Sequence, residues 1–169
     1  MTSGAGRRPG IDRVHEAVSS GQLWRAKEIL AGRIGSGPFD PESCEQLGRV
    51  LLQMGDDLDA GRFLFLSGQR HAEYEPAIQL FLRRYSRAGW QSLVAAFPAA
   101  ARRCTWSELP PRVREDLVAA GVPERSDTEP LRATLRHHPA GGSGWGGCLI
   151  PLAILALIGA LLWVAIGYL

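Results

Sequence analysis

Apolar and polar positions follow a helical rhythm through most of this chain, and the rhythm recurs at a fixed interval. SGQLWRAKEIL, from Ser20, carries Gly21, Ala26 and Leu30, and MGDDLDAGRFL, from Met54, carries Gly55, Ala60 and Leu64. Each matched pair is 34 residues apart (21 to 55, 26 to 60, 30 to 64), and Gly89 follows Gly55 by another 34 at the head of AGWQSLV. Leu47, Gly48 and Leu51 precede Gly55 as the end of one helix should precede its turn. Spacings of three and four residues put these apolar positions on one helix face. Glycine at the turn accepts a left-handed backbone, alanine lets two helices approach, and leucine fills the gap between neighbours. The period therefore predicts an all-α domain of two to three antiparallel helix pairs, with Pro38 and Pro41 separating the first pair from the second.

In order and spacing, Leu47, Gly48, Leu51, Gly55, Ala60 and Leu64 resemble the tetratricopeptide-repeat signature. Val14, Ala17, Gly21, Ala26, Leu30 and Pro38 resemble it in the copy before. The third copy keeps Leu82, Tyr85 and Gly89, has Val94 where a small residue is expected, and meets Pro98 in its second helix. Such a departure suits a degenerate terminal copy. The resemblance covers about residues 10 to 100 and implies a stack whose first helices line a concave face. GQLWRAKEIL followed by AGRFLFLSG is also similar to an uncharacterised group of small actinobacterial proteins with a C-terminal membrane helix, which implies lineage and no activity. An ordinary helical bundle is the alternative, and it leaves the domain all-α.

After the repeats, Arg112 to Ala120 forms a short amphipathic stretch with Val113, Leu117 and Val118 on one side, expected to cap the last repeat. Pro111 suits its first turn and Gly121 its C-terminus. From 122 to 147 the chain is rich in proline, glycine and charge and ends in HHPAGGSGWGG, which reads as a flexible tether. Residues 1–10 read as a disordered N-terminus and 11–121 as the helical domain.

Residues 148–169, CLIPLAILALIGALLWVAIGYL, are apolar all round. As a helix they would span ~33 Å, enough for a hydrocarbon core of ~30 Å. Pro151 falls in the first turn, and Trp145 and Tyr168 bracket the span at interfacial depth. The flank before it carries Arg132 and Arg136, so the positive-inside rule keeps the preceding domain in the cytoplasm. The expectation is a single-pass, tail-anchored protein of the cell membrane with the lipid bilayer as one partner. Ala156 and Ala160, four apart, offer a small-x-x-x-small face for pairing with a second copy or another membrane helix.

Composition narrows the function. All 36 formal charges (19 basic, 17 acidic) precede Gly141, and the net charge of +2 is too small to argue for nucleic acid. Lys27 is the only lysine among the 19 basic residues, a skew that fits codon usage as well as recognition. Cys44, Cys104 and Cys148 are odd in number and widely spaced, which fits neither a disulfide framework nor a zinc site. Met1 to Gly10 has two arginines and no apolar stretch, so no signal peptide is expected. Asp56, Asp57 and Asp59 fall in a turn where aspartate starts helices, and adjacent His137 and His138 lack a fixed metal geometry. No nucleophile with a base and no phosphate-binding glycine loop is present, so neither enzyme activity nor a cofactor is expected.

One constellation is chemically specific. Registered on their glycines, His15, Arg49 and Arg83 occupy equivalent positions six before the turn, with Arg87 one turn beyond Arg83. On a concave face they would form a basic ladder, and arginine forks suit the carboxylates of an acidic peptide. A solvated basic face is the plainer reading. Two functions follow: an adaptor that recruits a cytoplasmic protein to the membrane, or an assembly subunit working through its membrane helix.

Overall fold

A computed structural model describes residues 9–124 and 128–136, all within the first of the two units into which the chain separates, Met1–His137. The described residues are all-helical. Three helix–turn–helix pairs come first: α1 (Pro9–Ser19) with α2 (Leu23–Ser36), α3 (Pro41–Gln53) with α4 (Asp57–Ser67), and α5 (Glu75–Ser86) with α6 (Trp90–Ala95). Three shorter helices follow Pro98 among the described residues: α7 (Ala99–Arg103), α8 (Pro111–Ala119) and α9 (Ala133–Arg136).

The 34-residue period is written in the backbone. Gly21, Gly55 and Gly89 have φ of 72°, 78° and 95°, in the left-handed region where a Cβ is strained. At the first two turns the next residue reaches back five positions, Gln22 N–H to Ala17 carbonyl at 2.8 Å and Asp56 N–H to Leu51 carbonyl at 3.0 Å. That bond satisfies a helix-terminal carbonyl as a Schellman turn does. Helix starts are equally local. Asp40 accepts from the Glu42 N–H with Pro41 at the first position of α3, and Asp56 accepts from the Asp59 N–H at the start of α4.

Helix α4 sits at the centre. Its charged residues, Asp57, Asp59 and Arg62, stand in its first half, while Ala60, Gly61 and the run from Phe63 to Ser67 are all buried. Helices α3 and α5 pack on it, and two glycines set how closely. A Cβ at Gly48 would lie 2.5 Å from Leu64 Cγ, and one at Gly61 would lie 2.0 Å from the Ala77 carbonyl oxygen. The rings of Phe65, Phe81 and Phe97 pack with centroids 5.9 to 6.3 Å apart and join α4, α5 and the segment after α6. Each such pair adds about 0.5–1.5 kcal/mol to simple burial.

Beyond α6 the chain departs from a plain stack. Helix α6 has only 6 residues, with Val94 fully buried at the place held by Ala26 and Ala60. Pro98 then starts α7, which returns to pack on α2. Helix α8 does not merely end the stack. It packs on α4, where Arg70 donates to Asp116 from Nε (3.1 Å) and Nη2 (2.6 Å) and also reaches the Phe65 carbonyl at the end of α4.

Part of the stretch from 122 to 147 lies against the domain. Val122 and Leu131 are buried, and the N–H groups of Leu131 and Arg132 donate to the carbonyls of Cys104 and Arg102. Apolar residues spaced too irregularly to read as an element pin this segment to the domain, and α9 packs on α6. Among the described residues no helix is long and apolar enough to cross a membrane. The expected span 148–169, with Ala156 and Ala160, lies outside the described residues, as do residues 1–8, His137 and His138.

Candidate functional site

His15 on α1, Arg49 on α3 and Arg83 on α5 are all exposed, as is Arg87 just past the end of α5. Their neighbours in sequence explain why they point outward. Val14, Gly48 and the half-buried Leu82, each one residue earlier, turn toward the core, and Ala17 and Leu51 follow on the same inner face. None of the four basic side chains has an ion pair or hydrogen bond among the described residues, so their charges are not spent on the fold.

The structure brings two of them together. His15 and Arg49 line a cleft of about 100 Å³ between α1 and α3. Val14, Val18 and Val50 supply its apolar lining, and Gln46 and Gln53 add amides beside the two basic groups. No carboxylate lines this cleft. Arg49 and Gln53 also line a second cleft, of about 300 Å³, with Leu52, Glu73 and Tyr74. Arg49 therefore stands on the ridge between two adjoining hollows. Arg83 and Arg87 line neither.

Tyr74 gives the second cleft a fixed wall. Its side chain is buried, and its hydroxyl donates to Glu45 Oε1 at 3.1 Å. Burial, followed by that hydrogen bond and the Glu45 charge, pushes the phenol up to about 12, while Arg49 opposes the shift. His71 meets the Tyr74 ring edge-on with centroids 4.9 Å apart. Glu45 is thus occupied by Tyr74, and Arg49 makes no ion pair among the described residues.

Sequence reasoning found His15 and Arg49 through the period but missed Gln46, Gln53 and Tyr74. The glutamines were within reach of the same logic, because 46, 49, 50 and 53 share one face of α3. Tyr74 was not, since it stands at the N-cap of α5 where the preceding pair has Asp40, and local spacing does not show which cleft its ring walls.

The remaining chemical candidates serve the fold. Asp56 caps α4, and Asp59 pairs with Arg62 at 3.1 Å. Cys44 and Cys104 are buried free thiols, each pushed up to about 12 by burial first and nearby carboxylates second. A third cleft, of about 280 Å³ between α5 and α8, holds Arg70, Arg112 and Asp116, which are paired with one another.

Against known proteins, residues 7–168 match a family described as "Family of unknown function (DUF6584)", and the chain belongs to that family. No curated protein and no solved structure matches the chain.

Proposed function

We propose that this chain is a tetratricopeptide-like adaptor without enzyme activity, which recruits a cytoplasmic protein to a membrane held by residues 148–169. The observation that carries the reading is Arg49: exposed, without an ion pair among the described residues, and placed between a valine-lined cleft and a second one that it shares with Leu52, Tyr74 and Glu73. The 34-residue register of left-handed glycines supports the repeat assignment. The uncharged apolar run supports the membrane assignment.

The site's chemistry suits an extended acidic peptide. A carboxylate takes the Arg49 fork in two parallel hydrogen bonds. An apolar side chain beside it enters the valine-lined cleft, and the amides of Gln46 and Gln53 bond the peptide backbone. His15 adds a donor at the far rim. Two clefts make a short groove, so binding of an isolated peptide is modest, and tethering at the membrane raises the effective concentration.

Fluorescence anisotropy of a labelled peptide of alternating leucine and aspartate, titrated with the full chain in detergent, tests this. Arg49→Glu is expected to weaken binding by about tenfold or more, and Arg87→Glu to leave it within about twofold. Equal loss in both variants would reduce the effect to general surface charge. No binding by the wild-type chain would remove the acidic-peptide reading.

A further inference from the structure

Helix α2 turns Ala26, Leu30 and Ile34 into the core and leaves its opposite face bare. On that face Trp24 is 62% exposed, the most exposed of the large apolar side chains among the described residues. An indole left in water forgoes a large burial gain, and no element of the described fold covers it. Lys27 Nζ lies 4.8 Å from its ring centroid, and exposed Arg25 follows it in the chain, bonded only to the neutral Gln22 side chain. Glu28 is the single carboxylate of α2, and neither Arg25 nor Lys27 has an acidic partner among the described residues. The third cation of the helix, Arg33, is committed to Asp40 at 3.4 Å.

We infer that this face of α2 rests on an anionic bilayer surface, with Trp24 at headgroup depth and Arg25 and Lys27 on lipid phosphates. Indole is the side chain best suited to the water–lipid boundary, because its body is apolar and its N–H is polar. Cations flanking it complement the negative surface potential of a cytoplasmic leaflet. A bilayer is the occupant because the same chain carries 22 apolar, uncharged residues at 148–169. The inference rests on the proposed membrane location, and it adds a second contact: the folded domain lies on the surface instead of hanging free of it. That contact would fix which way the Arg49 clefts face and hold them at one height.

The full chain is reconstituted with vesicles of phosphatidylcholine, alone or with about 30 mol% phosphatidylglycerol. Flotation reads membrane association. The emission of wild type minus that of Trp24→Phe isolates Trp24, and lipids brominated near the headgroup report its depth. The expected result is a roughly twofold or greater quenching of that difference in anionic vesicles, lost in Arg25→Glu/Lys27→Glu although this variant still floats. Circular dichroism of each variant confirms unchanged helix content. A chain that floats with unquenched Trp24 overturns the surface contact alone and leaves the face to a protein. A chain that does not float overturns the membrane location and the contact together.

Discussion

The α1–α4 half of the domain and the α5–α9 half both turn their repeat pairs on a glycine of positive φ, yet they diverge where the second helix packs. In α2 and α4 the positions five and nine beyond the turn are Ala26/Leu30 and Ala60/Leu64, all buried. In the third pair they are Val94 and Pro98. Proline lacks the N–H that would continue the helix, so α6 stops after 6 residues and the chain folds back over α4 and α2. A change of two residues thus turns an extensible stack into a closed body. It also explains why the second half of α4, from Phe63 to Ser67, is buried without a break: the returning chain adds α8 to the cover that α3 and α5 provide.

The most damaging way to test that closure is Phe97→Ala. Phe97 is 2% exposed and packs on both Phe65 and Phe81, so the loss should be about 3–5 kcal/mol. Urea unfolding followed by circular dichroism should show one transition at lower midpoint. Two separated transitions would mean that the halves are independent and the closed-body picture is wrong.

Glycines sharpen the comparison further. Gly61→Ala drives a methyl into the Ala77 backbone and should cost at least about 1–3 kcal/mol. Gly48→Ala meets the movable Leu64 side chain and should cost less. Gly32→Ala on α2 meets nothing within 4 Å and should raise stability by up to about 1 kcal/mol. Any other order among the three would contradict the packing of α4 against α3 and α5.

The latch between halves is weaker. Arg70 and Asp116 retain side-chain exposures of 18% and 22%, and Asp116→Asn should cost about 1–3 kcal/mol, with a double-mutant cycle against Arg70→Met isolating the pair. Smallest is the alkaline response. Tyr74, Cys44 and Cys104 are held neutral by the fold, with pKa values raised from 10, 9 and 9 to about 12. A raised value gives stability that is full below the unfolded pKa and lost as pH climbs toward the folded one, so the midpoint should fall between about pH 9 and 12. Tyr74→Phe, with no phenol to ionise, should flatten part of that fall.

Much of the first half was legible from residue order alone because its information is local and repeated. A turn glycine, an alanine at the close approach and a capping aspartate each act on neighbours within a few positions. Where Val94 and Pro98 break the register, the sequence signals a stop but not a destination. The return of α7 to α2 and the burial of Leu131 depend on contacts between residues far apart in the chain, which no local spacing encodes. The same division runs through the site: His15 and Arg49 follow from the period, whereas the Tyr74 wall stands where the preceding pair has a capping Asp40. Arg83, though in perfect register, lines neither cleft beside Arg49, because register fixes the outward direction and not what lies alongside.

The contact between α7 and α2 has a consequence in time. A repeat array can grow from any point, each pair closing on the last, and its folding is fast because partners are near in the chain. Here the first pair is completed by a segment made some 65 residues later (Ser36 to Ala101), a contact that carries the entropy cost of closing a long loop. On the ribosome the early pairs are therefore expected to emerge unfinished, and the contacts of the domain are complete only once the segment to Leu131 has left the exit tunnel.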